Sequence, residues 1–155
     1  MRNLRMTSLA ALAFVLLAGM GSAQEGKIKR SDLPPAVEKT AAEVSKGATI
    51  KGFSKETENG KTTYEIEMVV NGHTKDVEVD ANGAILEVEE QVEMDSLPAE
   101  VKAGLNAKAG RGRILKVESL TKNSKLVAYE AKVETAGKKS EIQVGPDGKP
   151  LDHEE

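Results

Sequence analysis

The chain has no cysteine, no tryptophan, two histidines, two tyrosines and two phenylalanines. The missing thiols exclude disulfides, cysteine-ligated zinc and thiol catalysis. The scarcity of aromatics removes the stacking platforms that single-stranded nucleic acids need and that sugar-binding clefts use. There is no excess of positive charge: 22 basic residues stand against 25 acidic ones, a net charge of −3. Such a surface binds nucleic acid or anionic lipid poorly. No apolar run reaches the roughly 20 residues of a spanning helix.

The longest such run, Leu9–Met20, has the length of a signal-peptide core. Arg2 and Arg5 precede it, and Gly21 and Ala23 supply small residues before a cut at Gln24. Residues 1–23 therefore read as a secretory signal, and no cysteine follows to carry a lipid anchor. The expected product is periplasmic or secreted, with a net charge of −5 once the two arginines are removed.

The remainder repeats itself. Leu33, Pro34 and Val37 recur as Leu97, Pro98 and Val101. Tyr64, Glu65, Gly72, Val79, Gly83, Leu86, Glu89 and Glu90 recur as Tyr129, Glu130, Gly137, Val144, Gly148, Leu151, Glu154 and Glu155. Two units follow, residues 24–93 and 94–155. Each opens on a helix, with Ser31 and Asp32 or Asp95 and Ser96 as capping side chains. Pro34 or Pro98 fits the first turn. Val37, Ala41 and Val44, then Val101, Leu105 and Ala109, form the apolar stripes, and Gly47 and Gly110 are the stops.

Alternating segments come next. In "TTYEIEMVV" Tyr64, Ile66, Met68 and Val70 share one side and Glu65 and Glu67 the other. Asn71-Gly72 marks a hairpin, followed by "KDVEVD" and "AILEVEE". The second unit offers "GRILKVESLT", "LVAYEAKVET", "KSEIQV" and a short "KPLDHEE". The expected fold class is α+β: two repeats, each one helix packed on a four-stranded antiparallel sheet, the sheets either separate or forming one continuous curved sheet.

These residues resemble PepSY-like domains, also called β-lactamase-inhibitor-like. The LPxxV helix start, the YEIEM strand and the VxVDxxGxILE ending carry the resemblance, which covers nearly all of the chain after residue 23. It implies small exported binding modules that inhibit or modulate peptidases and other envelope enzymes, with no catalytic residues and no cofactor.

Individual candidates weigh as follows. Asp80-Ala-Asn-Gly83 imitates the start of a calcium loop, but the fifth and twelfth positions would be Ala84 and Gln91, and Gly83 stands at position four rather than six. A turn with Gly83 at positive φ is the expectation. His73 and His153 lie outside any ligand cluster and read as surface residues. Lys108, Arg111, Arg113 and Lys116 form a basic patch at a helix end, where cations are favourable. Glu65, Glu67, Glu78, Glu87 and Glu89 should share one side of the first sheet as a partner-binding face. Residues 24–93 hold nine basic and fifteen acidic side chains; residues 94–155 hold eleven and ten. The leading functional expectation is a non-catalytic module that binds an envelope or secreted protein. The alternative is a periplasmic binder of cations, calcium included, or small ligands on the acidic face.

Overall fold

The computed structural model describes residues 26–153 and Glu155. The signal reading for residues 1–23 lies outside them. Eight strands form one antiparallel sheet in sequence order: β1 (Gly26–Ile28), β2 (Thr49–Glu58), β3 (Lys61–Val70), β4 (His73–Asp80), β5 (Ile85–Val92), β6 (Arg113–Lys122), β7 (Lys125–Thr135) and β8 (Lys138–Val144). Helix α1 (Pro35–Val44) lies between β1 and β2, and α2 (Ala99–Ala109) between β5 and β6.

Two repeats of a helix on a four-stranded sheet are thus not what the chain forms. β5 pairs with β6 from Glu87↔Lys122 to Val92↔Val117, so the sheet runs unbroken through the middle of the chain. The expected strand over "KPLDHEE" does not form, and β8 is an edge. The reason is visible residue by residue. Pro150 replaces Ile85 and offers no N–H to a ladder. His153 replaces Val88, which packs against the first core. A short strand, β1, which the sequence pattern does not announce, closes the opposite edge by pairing Gly26–Ile28 with Phe53–Lys55.

The helix starts also differ from expectation. Arg30–Asp32 and Met94–Ser96 are 3-10 turns, and the α-helices begin after Pro34 and Pro98 with no side-chain cap. Asp32 instead accepts from its own turn's Lys29 N–H at 3.0 Å. The helices are held by their apolar residues: Val37 and Ala41 in α1, Val101 and Leu105 in α2, all 0 % exposed.

Both helices cover the same face. The register row Phe53–Ile66–Val77–Val88 lies under α1. Val92, four residues beyond Val88 and so on the same side of β5, continues through Val117, Ala131 and Ile142 under α2. There are two cores on one side of one sheet, and β5 contributes to both.

The turn after β4 docks on α1. Thr40 Oγ1 donates to the Gly83 carbonyl at 2.7 Å. At Gly83 (φ +79) a Cβ would stand 2.6 Å from the Ala36 carbonyl oxygen. Gly148 (φ +75) repeats the arrangement against α2, where a Cβ would meet the Glu100 carbonyl at 2.1 Å. Both positions need glycine for the left-handed turn and for the close approach of the helix backbone.

Candidate functional site

The face opposite the helices carries the charge. One register row reads Ser54–Glu65–Glu78–Glu87–Lys122, and the next reads Gly52–Glu67–Asp76–Glu89–Leu120–Ala128. All five glutamates expected to share a face do so. Beyond them lie the rows Gln91–Glu118–Glu130–Gln143 and Lys116–Lys132–Glu141. The face is divided by charge: carboxylates dominate over β3, β4 and β5, while Lys116, Lys122, Lys132 and Lys139 share the part over β6, β7 and β8 with Glu118, Glu130 and Glu141.

The centre of this face is drier than its composition suggests. Glu118 is 1 % exposed, Leu120 1 % and Ala128 0 %, although they belong to neither of the cores under α1 and α2. In the register Leu120 lies between Glu89 and Ala128, and Glu118 between Gln91 and Glu130; the methylene stems of such long polar side chains shield a sheet centre while their heads reach outward. Glu118 is held as part of an ion cluster. Lys116 Nζ stands 2.5 Å from one carboxylate oxygen and Lys132 Nζ 3.7 Å from the other. A buried carboxylate needs such partners, since stripping it of water without compensation costs several kcal/mol.

Asp76, Glu89 and Glu118 each place an oxygen within 4.8 Å of the others. The crowding shows in their proton affinities. Burial pushes Glu89 up to about 8, aided by the charges of Glu130, Glu118, Glu87 and Asp76. Burial, then Glu118, raises Asp76 to about 6. Glu87 and Glu130 are raised by burial as well, against the opposing pull of Lys122 and of the Gln143 side-chain amide. Lys132 is raised: burial disfavours its charge, but Glu118, Glu141, Glu130 and Glu89 together outweigh that.

The rim is tied down by further polar contacts. Ser54 Oγ donates to Glu65 at 2.9 Å. Lys122 lies 3.5 Å from Glu87 and 3.7 Å from Glu155. Gln143 donates to Glu130 at 2.9 Å and accepts from the Glu155 N–H at 2.8 Å.

Other candidates resolve into structural roles. Asp80 Oδ1 accepts from Asn82 N and Ala84 N at 2.9 and 2.8 Å, which makes the suspected calcium loop a self-contained turn. These backbone N–H groups, Ala84's foremost, hold the Asp80 pKa low. His73 Nε2 lies 2.8 Å from Glu93 at a half-exposed position, and His153 is exposed. The basic patch is dispersed: Arg113 pairs with Glu134 at 2.7 Å, Lys108 donates to the Gln143 carbonyl at 2.9 Å, and Lys116 belongs to the Glu118 cluster.

Sequence reasoning missed Asp76, Glu118 and Glu130. The alternation that places Glu78 also places Asp76, and "LKVESL" puts Glu118 between Lys116 and Leu120. Asp76 meets Glu89 across the β4–β5 ladder, but the approach of Glu118 and Glu130 depends on β5 pairing with β6, which alternation does not reveal.

No family model matches the sequence, and no curated protein matches it either. Solved structures of similar fold do exist. A candidate periplasmic protein from Bacteroides eggerthii aligns with a TM-score of 0.63 at 18% identity, covering 77% of this chain and 86% of that one. A DUF2874 family protein from Bacteroides ovatus aligns with a TM-score of 0.60 at 20% identity, covering 77% and 84%. A BLIP-like protein from Bacteroides fragilis aligns with a TM-score of 0.56 at 23% identity, covering 77% and 83%. The chain therefore has a BLIP-like fold. Among the described residues no helix is long and apolar enough to cross a membrane.

Proposed function

We propose that the chain is an exported, non-catalytic binding module that meets an envelope or secreted protein through the open face of its sheet. The observation that carries this is that α1 and α2 cover the same face, leaving the other, among the described residues, without a covering helix and densely charged. Over β3, β4 and β5 that face offers Glu65, Glu67, Glu78, Glu87 and Glu89 in two adjacent rows, so the complementary patch on the partner is basic. The BLIP-like protein and the candidate periplasmic protein among the structures of similar fold support the reading. So do the signal-like residues 1–23 and the PepSY-like pattern in residues 24–93 and 94–155, which point to a modulator of a peptidase or another envelope enzyme.

Crosslinking in the native envelope tests this. A specific protein should be recovered with the parent chain and lost when Glu65 and Glu78 are both changed to Lys in a variant that still folds. Recovery unchanged by that reversal removes the acidic face from the proposal, and no reproducible partner counts against the module itself. The second reading, a cation binder, draws on the convergence of Asp76, Glu89 and Glu118 oxygens. It competes with Lys116 and Lys132, which already neutralise Glu118. Calorimetric titration with calcium separates the two: tight, saturable binding lost in Glu118→Gln favours the cation.

A further inference from the structure

Leu120 and Ala128 are buried on the face that neither α1 nor α2 covers, so something else keeps water from them. Their register row continues past β8. Tyr129 pairs with Val144, and one step further brings Gly145 beside Ala128. Gly145 is buried too, and a Cβ there would stand 3.4 Å from Leu151 Cδ2. Glu155 bridges the same row. Its N–H donates to Gln143 Oε1 at 2.8 Å, and its carboxylate lies 3.7 Å from Lys122 Nζ. Gln143 belongs to the row on one side of Leu120 and Ala128, and Lys122 to the row on the other. The segment 149–155, which contributes no strand to the sheet, thus crosses onto the open face.

The two ends of this segment are held unequally. Its start is fixed: the Gly145 N–H donates to the Lys149 carbonyl at 2.8 Å, and Gly148 is pressed against α2. Beyond that point Pro150 has no N–H to offer, and Asp152 and His153 are exposed. The hydrogen bond to Gln143, the long ion pair to Lys122 and the Leu151 side chain are individually weak ties. The receiving groups, by contrast, are preset. Gln143 Nε2 donates to Glu130 at 2.9 Å, which leaves Oε1 facing outward as an acceptor. Lys122, held 3.5 Å from Glu87, supplies the cation.

We propose that residues 149–155 are a releasable strap filling a peptide subsite on the open face, with Leu151 beside Gly145 and Glu155 between Gln143 and Lys122. The occupant it keeps out is an extended segment of a partner protein, carrying an apolar side chain and, four residues on, a carboxylate. Such a segment reproduces all three ties: the apolar contact, the main-chain N–H to Gln143 and the ion pair to Lys122. The lysines of β6–β8 suit its carboxylate, whereas the glutamates over β3–β5 repel it, so it is confined to this end of the face. The strap extends the binding reading to a second part of the open face and rests on that reading for the existence of a partner.

The probe is a synthetic peptide of residues 149–155, acetylated at its first residue. It is titrated into the full parent chain and into the Leu151→Asp, Glu155→Lys double variant, with amide shifts followed by NMR. In the parent, a nuclear Overhauser contact between a Gly145 α-proton and a Leu151 methyl group reports the closed strap. A tethered segment competes at an effective concentration of about a millimolar, so the peptide should bind the variant at least about tenfold more tightly than the parent. Shifts should centre on Ala128, Gln143 and Lys122. A peptide carrying the Leu151→Ala and Glu155→Gln changes should not bind. Absence of the Gly145–Leu151 contact overturns the strap. Equal affinity for parent and variant, no binding to the variant, or binding indifferent to the peptide changes overturns the subsite. If the double variant does not fold, Glu155→Gln, which removes only the ion pair, takes its place; it too should bind the peptide more tightly than the parent, and equal binding sinks the proposal. None of these readouts uses a native partner, so failure here is distinguishable from failure of the crosslinking test at Glu65 and Glu78.

Discussion

Gly83 and Gly148 carry a double demand. Each sits at positive φ, and each leaves no room for a Cβ against a helix carbonyl, at 2.6 and 2.1 Å. At Gly148 the contact is mutual, because Gly104 of α2 approaches its carbonyl so closely that a Cβ would stand 2.0 Å away. Gly148→Ala should therefore cost about 2–4 kcal/mol, more than a turn glycine ordinarily would, with the loss read from denaturant midpoints. The neighbouring carboxylates have distinct parts. Asp80→Ala removes three acceptor contacts in an exposed turn and should lower the denaturant midpoint far less than Gly148→Ala does. Its pH dependence runs opposite to that of Glu89: a lowered pKa contributes stability above the unfolded value that is lost as pH falls. The sequence already showed that this turn recurs and that Asp80 has no counterpart at Gly145. It did not show the helix overhead, because the packing of α1 and α2 on the turns is a long-range contact.

At the scale of elements, each helix hangs on very few residues. α2 buries Val101 and Leu105 at 0 % exposure, with Leu97 entering just before it. Leu105→Ala should cost about 2–5 kcal/mol, since the cavity opens beneath a helix fixed by the Gly104–Gly148 approach and unable to settle inward. Thermal or denaturant unfolding measures it. The apolar stripes and the strand alternation were legible, because side-chain periods of 3.6 and 2 are local properties of the backbone. Two elements were not. β1 is three residues of "GKI" with no alternation to read, and it exists because Phe53–Lys55 offered an edge. The strand expected at 149–155 has the spacing of its counterpart, yet Pro150 and His153 deny it a donor and an apolar contact.

The molecule as a whole is one sheet with two cores on one side. β5 serves both: Val88 packs on the first core and Val92 on the second. The parts above and below the β5–β6 ladder should therefore unfold together, giving a single calorimetric transition with matching van't Hoff and calorimetric enthalpies near neutral pH. A chain ending at residue 93 would expose the β5 edge from Glu87 to Val92. Such an unprotected edge is a template for pairing, and the fragment is expected to self-associate in light scattering. The same continuity turns the open face into one surface, acidic over β3–β5 and mixed over β6–β8.

By itself the sequence determined the strands β2 to β8, the hairpin turns, the two apolar stripes and the common side of Glu65, Glu67, Glu78, Glu87 and Glu89. Each follows from neighbours a few residues away along one strand or turn. Only the tertiary structure decided that the strands form a single sheet, that both helices share its one face, and that Glu118 is buried beside Glu89 and Asp76. Periodicity says which way a side chain points but not which edge its strand will join. A carboxyl group's hydration and proton affinity depend on the charges brought beside it across that edge, 29 residues away in the chain for Glu89 and Glu118.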